Sequence, residues 1–180
     1  MTRFLMLPAV LLLGTACNPV MLTTWGDDFD SGFDGVEDYG YDDYGYSQAR
    51  WVGRPDGSLS GDLSSVGNMQ DLPADVSLRG DDYGVDVNIT AYKPDGTWGM
   101  VAGWVPIDQP LAADQELPMT DNGIGCWGPE SGMYDYDGPP QEGTMYVDQG
   151  EDGSLVITVD MLFDDGQHAV GVAIADPAEE

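Results

Sequence analysis

Val85-Asp86-Val87-Asn88-Ile89-Thr90-Ala91-Tyr92 alternates apolar and polar side chains, Lys93-Pro94-Asp95-Gly96 interrupts it, and Thr97-Trp98-Gly99-Met100-Val101-Ala102-Gly103-Trp104-Val105 resumes an alternating pattern. A period of two belongs to a β-strand, whose successive side chains leave opposite faces. The Asp95-Gly96 step supplies the positive φ that a tight connection needs. The stretch therefore reads as an antiparallel hairpin. On its return strand Trp98, Met100, Ala102 and Trp104 share one face; Gly99, Val101, Gly103 and Val105 share the other, the glycines leaving room for another layer.

The same reasoning extends outward. Leu155, Ile157, Val159, Met161 and Phe163 share a face, residues 164–167 make a turn, and Val170, Val172 and Ile174 are expected to continue the inward register. Residues 144–148 add a strand before them, giving a meander. Weaker strand patterns cover 58–66 and 75–79, and residues 111–117, between Pro110 and Pro118, form the one short helix candidate. Asp-Gly steps beginning at Asp56, Asp95, Asp152 and Asp165 are expected to be turns. The sum is an all-β domain over residues 50–178, an antiparallel β-sandwich or small barrel of about seven strands.

Charge narrows the partners. The 180 residues carry 33 Asp and Glu against 5 Lys and Arg, a formal net charge of -28. Such a surface cannot neutralise phosphates, which argues against nucleic acid and against an anionic membrane face. Hydrophobic residues at 42% and aromatics at 10% are enough for a folded core. Eight of the acids, Asp27, Asp28, Asp30, Asp34, Glu37, Asp38, Asp42 and Asp43, fall among glycines and tyrosines with no basic residue between them. Glu37-Asp38-Tyr39-Gly40-Tyr41 is followed at once by the near repeat Asp42-Asp43-Tyr44-Gly45-Tyr46. Uncompensated charge and regular glycine oppose helix and packed strand, so residues 17–49 read as a disordered, extended acidic tether.

The first residues read as an address. Arg3 precedes an apolar run from Phe4 to Leu13, too short to span a bilayer, followed by small residues before Cys17. Residues 1–16 are read as a signal peptide. Gly14-Thr15-Ala16-Cys17 resembles the lipobox of bacterial lipoprotein signals, which implies lipidation of Cys17, attachment to a membrane through that lipid, and, with Asn18 following, an outer-membrane or cell-surface location. Gly14 and Ala16 also suit ordinary cleavage after Ala16, which would give a periplasmic or extracellular protein. Without acylation, Cys17 and Cys126, the only cysteines, could form a disulfide.

Chemistry is sparse beyond that. Asp135 and Asp137 form an Asp-x-Asp-Gly fragment, and Asp81, Asp82 and Asp86 cluster at a strand start; both are candidate calcium ligands. Neither matches a complete EF-hand loop. Trp98, Trp104 and Trp127 are candidate ligand-binding aromatics that could stack on a glycan or peptide. Cys126 and His168 are the thiol and imidazole a thiol enzyme would need, with no pattern bringing them together. Arg79-Gly80-Asp81 matches an adhesion tripeptide in its three letters. The expectation is an exported, lipid-anchored envelope protein whose β-domain binds or scaffolds an envelope protein or glycan, with no cofactor beyond calcium. The alternatives are a secreted hydrolase using carboxylates or Cys126, and a calcium-dependent adhesion module.

Overall fold

Strands form where the alternation predicts them, and in further places. The computed structural model describes residues 48–64, 66–129 and 136–179. The expected signal peptide, Cys17, residues 17–47 of the expected acidic tether and Asp135 lie outside these. Among the described residues the order is β1 Trp51–Gly53, β2 Asp56–Leu63, β3 Gly67–Gly80, β4 Gly84–Tyr92, β5 Trp98–Pro106, β6 Gln115–Pro118, β7 Gly123–Gly128, β8 Tyr136–Gly138, β9 Glu142–Gln149, β10 Leu155–Leu162 and β11 His168–Pro177. Eleven strands replace the expected seven, and every pairing is antiparallel. The protein is all-β.

The sheet runs β6-β9-β10-β11-β1-β3-β4-β5-β7-β8, with β2 also paired to β11 and β3. Registers explain this double occupancy. β1 joins Trp51 to Pro177 and Gly80, while β2 joins Ser58 to Val172 and Pro73. The two are therefore halves of one run between β11 and β3, interrupted at Arg54-Pro55, where proline has no N–H to donate. The Arg54 N–H reaches the Ile174 carbonyl at 2.7 Å and the Val76 N–H reaches the Pro55 carbonyl at 2.8 Å, carrying the ladder across the gap. β11 and β3 thus each pair with both halves of this run.

A closure joins the ends of the sheet. β6 pairs with β9 at one end, and β7 pairs with β5 near the other, yet only residues 119–122 separate them. The Met119 N–H donates to the Gly143 carbonyl at 2.9 Å, and the Asn122 carbonyl accepts the Trp104 N–H at 3.3 Å. This corner curls the sheet onto itself, so one core serves both halves.

Inside, large side chains meet small ones. Leu155, Ile157, Val159, Met161 and Phe163 are buried as their spacing predicts, with Val85, Val87, Ile89, Val101 and Val105. The expectation for β11 is corrected. Leu155, Ile157, Val159 and Met161 pair with Ala175, Ala173, Gly171 and Ala169, so Val170, Val172 and Ile174 face outward. Space is the reason. A β-carbon on Gly171 would lie 2.7 Å from Ile89 Cδ1 and 2.8 Å from Val101 Cγ2, so the interior admits only small residues there.

Two other expectations change. Residues 111–117 form no helix: Asp114 adopts φ 65, and the chain enters β6 at Gln115. Gln115 stabilises the bend, its Oε1 accepting the Ala112 N–H at 3.0 Å and its Nε2 donating to the Pro110 carbonyl at 3.0 Å. Asp56-Gly57 is not a turn but the start of β2. Gly57 is needed for close approach instead, because a β-carbon would lie 2.3 Å from the Val172 carbonyl oxygen. At the other three Asp-Gly steps Gly96, Gly153 and Gly166 have φ 83, 82 and 75, as a turn requires.

Candidate functional site

Strand register builds one transverse row on the outer surface. Trp104 on β5 pairs with Asp86 on β4, Asp86 with Arg79 on β3, Arg79 with Val52 on β1, and Val52 with Asp176 on β11. Paired residues share a face, and this face is open. Trp104 is 50% exposed, Val52 48%, and Tyr83, in the turn before β4, 68%.

The turn that presents Tyr83 is held by Asp81. Its Oδ1 accepts the Tyr83 N–H at 2.8 Å and the Gly84 N–H at 3.0 Å, and the Asp81 N–H donates to the Gly84 carbonyl at 3.0 Å. Gly84 then serves Trp104. A β-carbon there would fall 2.5 Å from Trp104 Nε1 and 2.6 Å from Cε2, so the indole lies against the bare backbone of Gly84. One part of the ring is seated on protein and the remainder meets water.

Electrostatics differ along the row. Desolvation raises the Asp86 carboxyl above its ordinary value, against the backbone N–H of Val87, which lowers it. Arg50 hydrogen-bonds and attracts Asp82, holding that carboxyl below the ordinary range; Arg54 does the same for Asp176. The Arg50 Nη2 to Asp82 Oδ2 bond is 3.0 Å, and Arg54 reaches the two Asp176 oxygens at 2.8 and 2.9 Å. Beside Asp82 an open, mainly polar cavity of about 340 Å³, lined by Arg50, Trp51, Asp82 and Ala178, marks where the chain enters and leaves the domain.

The expected site residues separate on this scaffold. Trp98 and Trp127 are 5% and 0% exposed. Trp98 shares the Trp104 face but is covered, and Trp127 packs edge-on against Phe163 in the core, with centroids 5.1 Å apart. Trp104 alone of the three offers a ring face. Asp81 is committed to its turn and Asp82 to Arg50, while Asp86 stands in the row opposite Trp104; among the described residues no group of three or more His, Cys, Asp or Glu could hold a metal. Asp137 lies on β8 opposite Cys126. Cys126 is fully buried and disulfide-bonded, whereas His168 lies on the outer face with Nε2 2.6 Å from Asp160 Oδ1. Of the adhesion-like tripeptide, Gly80 is buried and the Asp81 carboxylate is taken by backbone donors. Tyr83 and Val52 escape the sequence reading, since nothing in a lone turn tyrosine or a three-residue strand marks them. The one available signal is the Asp81-Asp82-Tyr83-Gly84 turn itself.

The fold and this row define an antiparallel, curled β-domain with an exposed aromatic and acidic strip. No protein-family model, curated protein or solved structure shows significant similarity to the chain.

Proposed function

We propose that this is an exported cell-envelope protein whose β-domain binds or scaffolds a partner. The observation that carries the binding reading is Trp104, a half-exposed indole seated on Gly84 in a row with Asp86, Arg79 and Val52. An apolar ring held rigidly at the surface is ordered before its partner arrives, which lowers the entropic cost of association. Export is supported by the apolar run ending at Gly14-Thr15-Ala16-Cys17.

Two modes of maturation follow from the same residues. Lipidation of Cys17 would anchor the protein in the outer membrane or at the cell surface. Cleavage after Ala16 without acylation would release it into the periplasm or medium.

Intact-mass measurement of the mature protein, with fractionation of the cells that make it, tests the proposal. A start at Cys17 with lipid mass and a membrane-bound fraction supports the anchored form. A lipid-free mass with two hydrogens missing, in the soluble envelope fraction, supports the released form. A chain retaining residues 1–16 in the cytosol overturns export.

A further inference from the structure

We propose that the outer strip carrying Tyr83, Asp86 and Trp104 is a docking surface for a cationic polypeptide segment, with an arginine or lysine head group lying over the open part of the Trp104 indole. The inference rests on the binding reading above and names its ligand class.

Three observations converge on it. The first is shape: Gly84 supports the ring and leaves it 50% exposed, with Tyr83 rising beside it and Val52 extending the strip at the far side of Arg79. A planar cation can approach such a ring within the distance at which its quadrupole attracts positive charge. The second is charge complementarity. With 33 acidic residues against 5 basic, the field over the surface draws cations. Arg50 is engaged with Asp82, Arg54 with Asp176 and Lys93 Nζ with the Val66 carbonyl at 2.7 Å, while Arg79 lies opposite Asp86 in the strand register. The third is placement. Asp86 stands directly across from Trp104, so a head group over the indole meets a carboxylate at once. The Asp86 side chain is exposed, so a cation can reach its carboxylate from solvent.

A pyranose could stack on the same indole, and the two ligand classes behave differently toward charge. The test titrates the mature protein with penta-arginine, penta-lysine and chitohexaose by calorimetry at low and moderate salt. The expected result is binding of penta-arginine, weakened by salt. Trp104→Ala should lose about two- to fivefold in affinity, the worth of one exposed cation–π contact, and Trp104→Phe should lose less. Tyr83→Ala and Asp86→Asn, both at exposed positions, should weaken binding with an unchanged circular dichroism spectrum. Penta-arginine affinity indifferent to Trp104→Ala would overturn the proposal, since attraction would then be diffuse. Chitohexaose binding abolished by Trp104→Ala, without peptide binding, would also overturn it while leaving the strip as a binding face. Absence of binding by every probe overturns the cation assignment, and export is judged separately by the mass measurement.

Discussion

Trp104 lies across Gly84 on the neighbouring strand, so close that a β-carbon on Gly84 would come within 2.5 Å of the indole nitrogen. Gly84 has no positive φ, so an alanine there carries no backbone strain, and its methyl acts on the ring alone. Gly84→Ala should therefore lift the indole from its seat into an off-rotamer position, at a cost of about 0.5–1.5 kcal/mol. Thermal denaturation should record the small loss. Acrylamide quenching of tryptophan fluorescence should rise against the wild type, because the freed ring is open on both faces; unchanged quenching would mean that the ring does not rest there.

Gly125 and Phe163 provide the matching experiment in the core. A β-carbon on Gly125 would meet the Phe163 ring at 2.2 Å, and Phe163 is itself held edge-on to Trp127. The aromatic pair is large and fully buried, so it can yield little. Gly125→Ala should cost about 1–3 kcal/mol by overpacking. In Phe163→Leu the smaller side chain should make room for the new methyl. The double variant should then be more stable than the sum of the two single losses implies, by about 0.5–3 kcal/mol, as expected of residues in contact. Denaturant titration of the four proteins measures this coupling.

How far this architecture can be read from sequence depends on where the large side chains point. The β4–β5 hairpin and the inward face of β10 follow directly from alternation, since their branched residues are the buried ones. β11 misleads because its bulky Val170, Val172 and Ile174 face outward while Ala169, Gly171, Ala173 and Ala175 fill a narrow interior. Hydrophobicity finds both faces apolar, and only the volume left by Ile89 and Val101 decides between them. β3 is fourteen residues long but carries Gln70, Asp71, Pro73 and Asp75, which break the apolar pattern on its exposed side. For the candidate site, spacing places Trp98 and Trp104 on one face correctly. It cannot say that one is covered and the other open, because cover comes from segments distant in sequence. The strip from Trp104 to Asp176 spans five strands and exists only through register.

Acid stability should show two opposing contributions. Asp82 and Asp176 have carboxyls lowered by Arg50 and Arg54, so the stability they provide is complete above the ordinary carboxylate range and is lost as pH falls through their folded values. Asp86 is raised by desolvation. Its contribution has the reverse sign, present below the ordinary carboxylate range and lost as pH rises through its folded value. Asp86→Asn should therefore raise the melting temperature at neutral pH, with the gain shrinking as pH falls through the carboxylate range. Arg50→Met should lower the melting temperature at neutral pH and flatten its dependence on acid. Melting curves of the three proteins from pH 3 to pH 7 would check both signs, and an Asp86→Asn gain that persists at pH 3 would show that packing, not charge, is responsible.

Salt and divalent cations test whether the acidic surface acts diffusely or through a built site. The net charge of -28 implies self-repulsion, which added salt screens over a Debye length of about 10 Å at 0.1 M and 3 Å at 1 M. The melting temperature should accordingly rise as sodium chloride is increased. Among the described residues no group of three acidic, histidine or cysteine side chains could hold a metal, and Asp81 and Asp82 are already committed to a turn and to Arg50. Millimolar calcium should then stabilise no more than magnesium at equal ionic strength, and chelation should leave the melting temperature where the ionic strength alone places it. A saturating, calcium-specific rise removed by chelator would instead require ligands beyond the described residues, with Asp135 the first position to replace by asparagine.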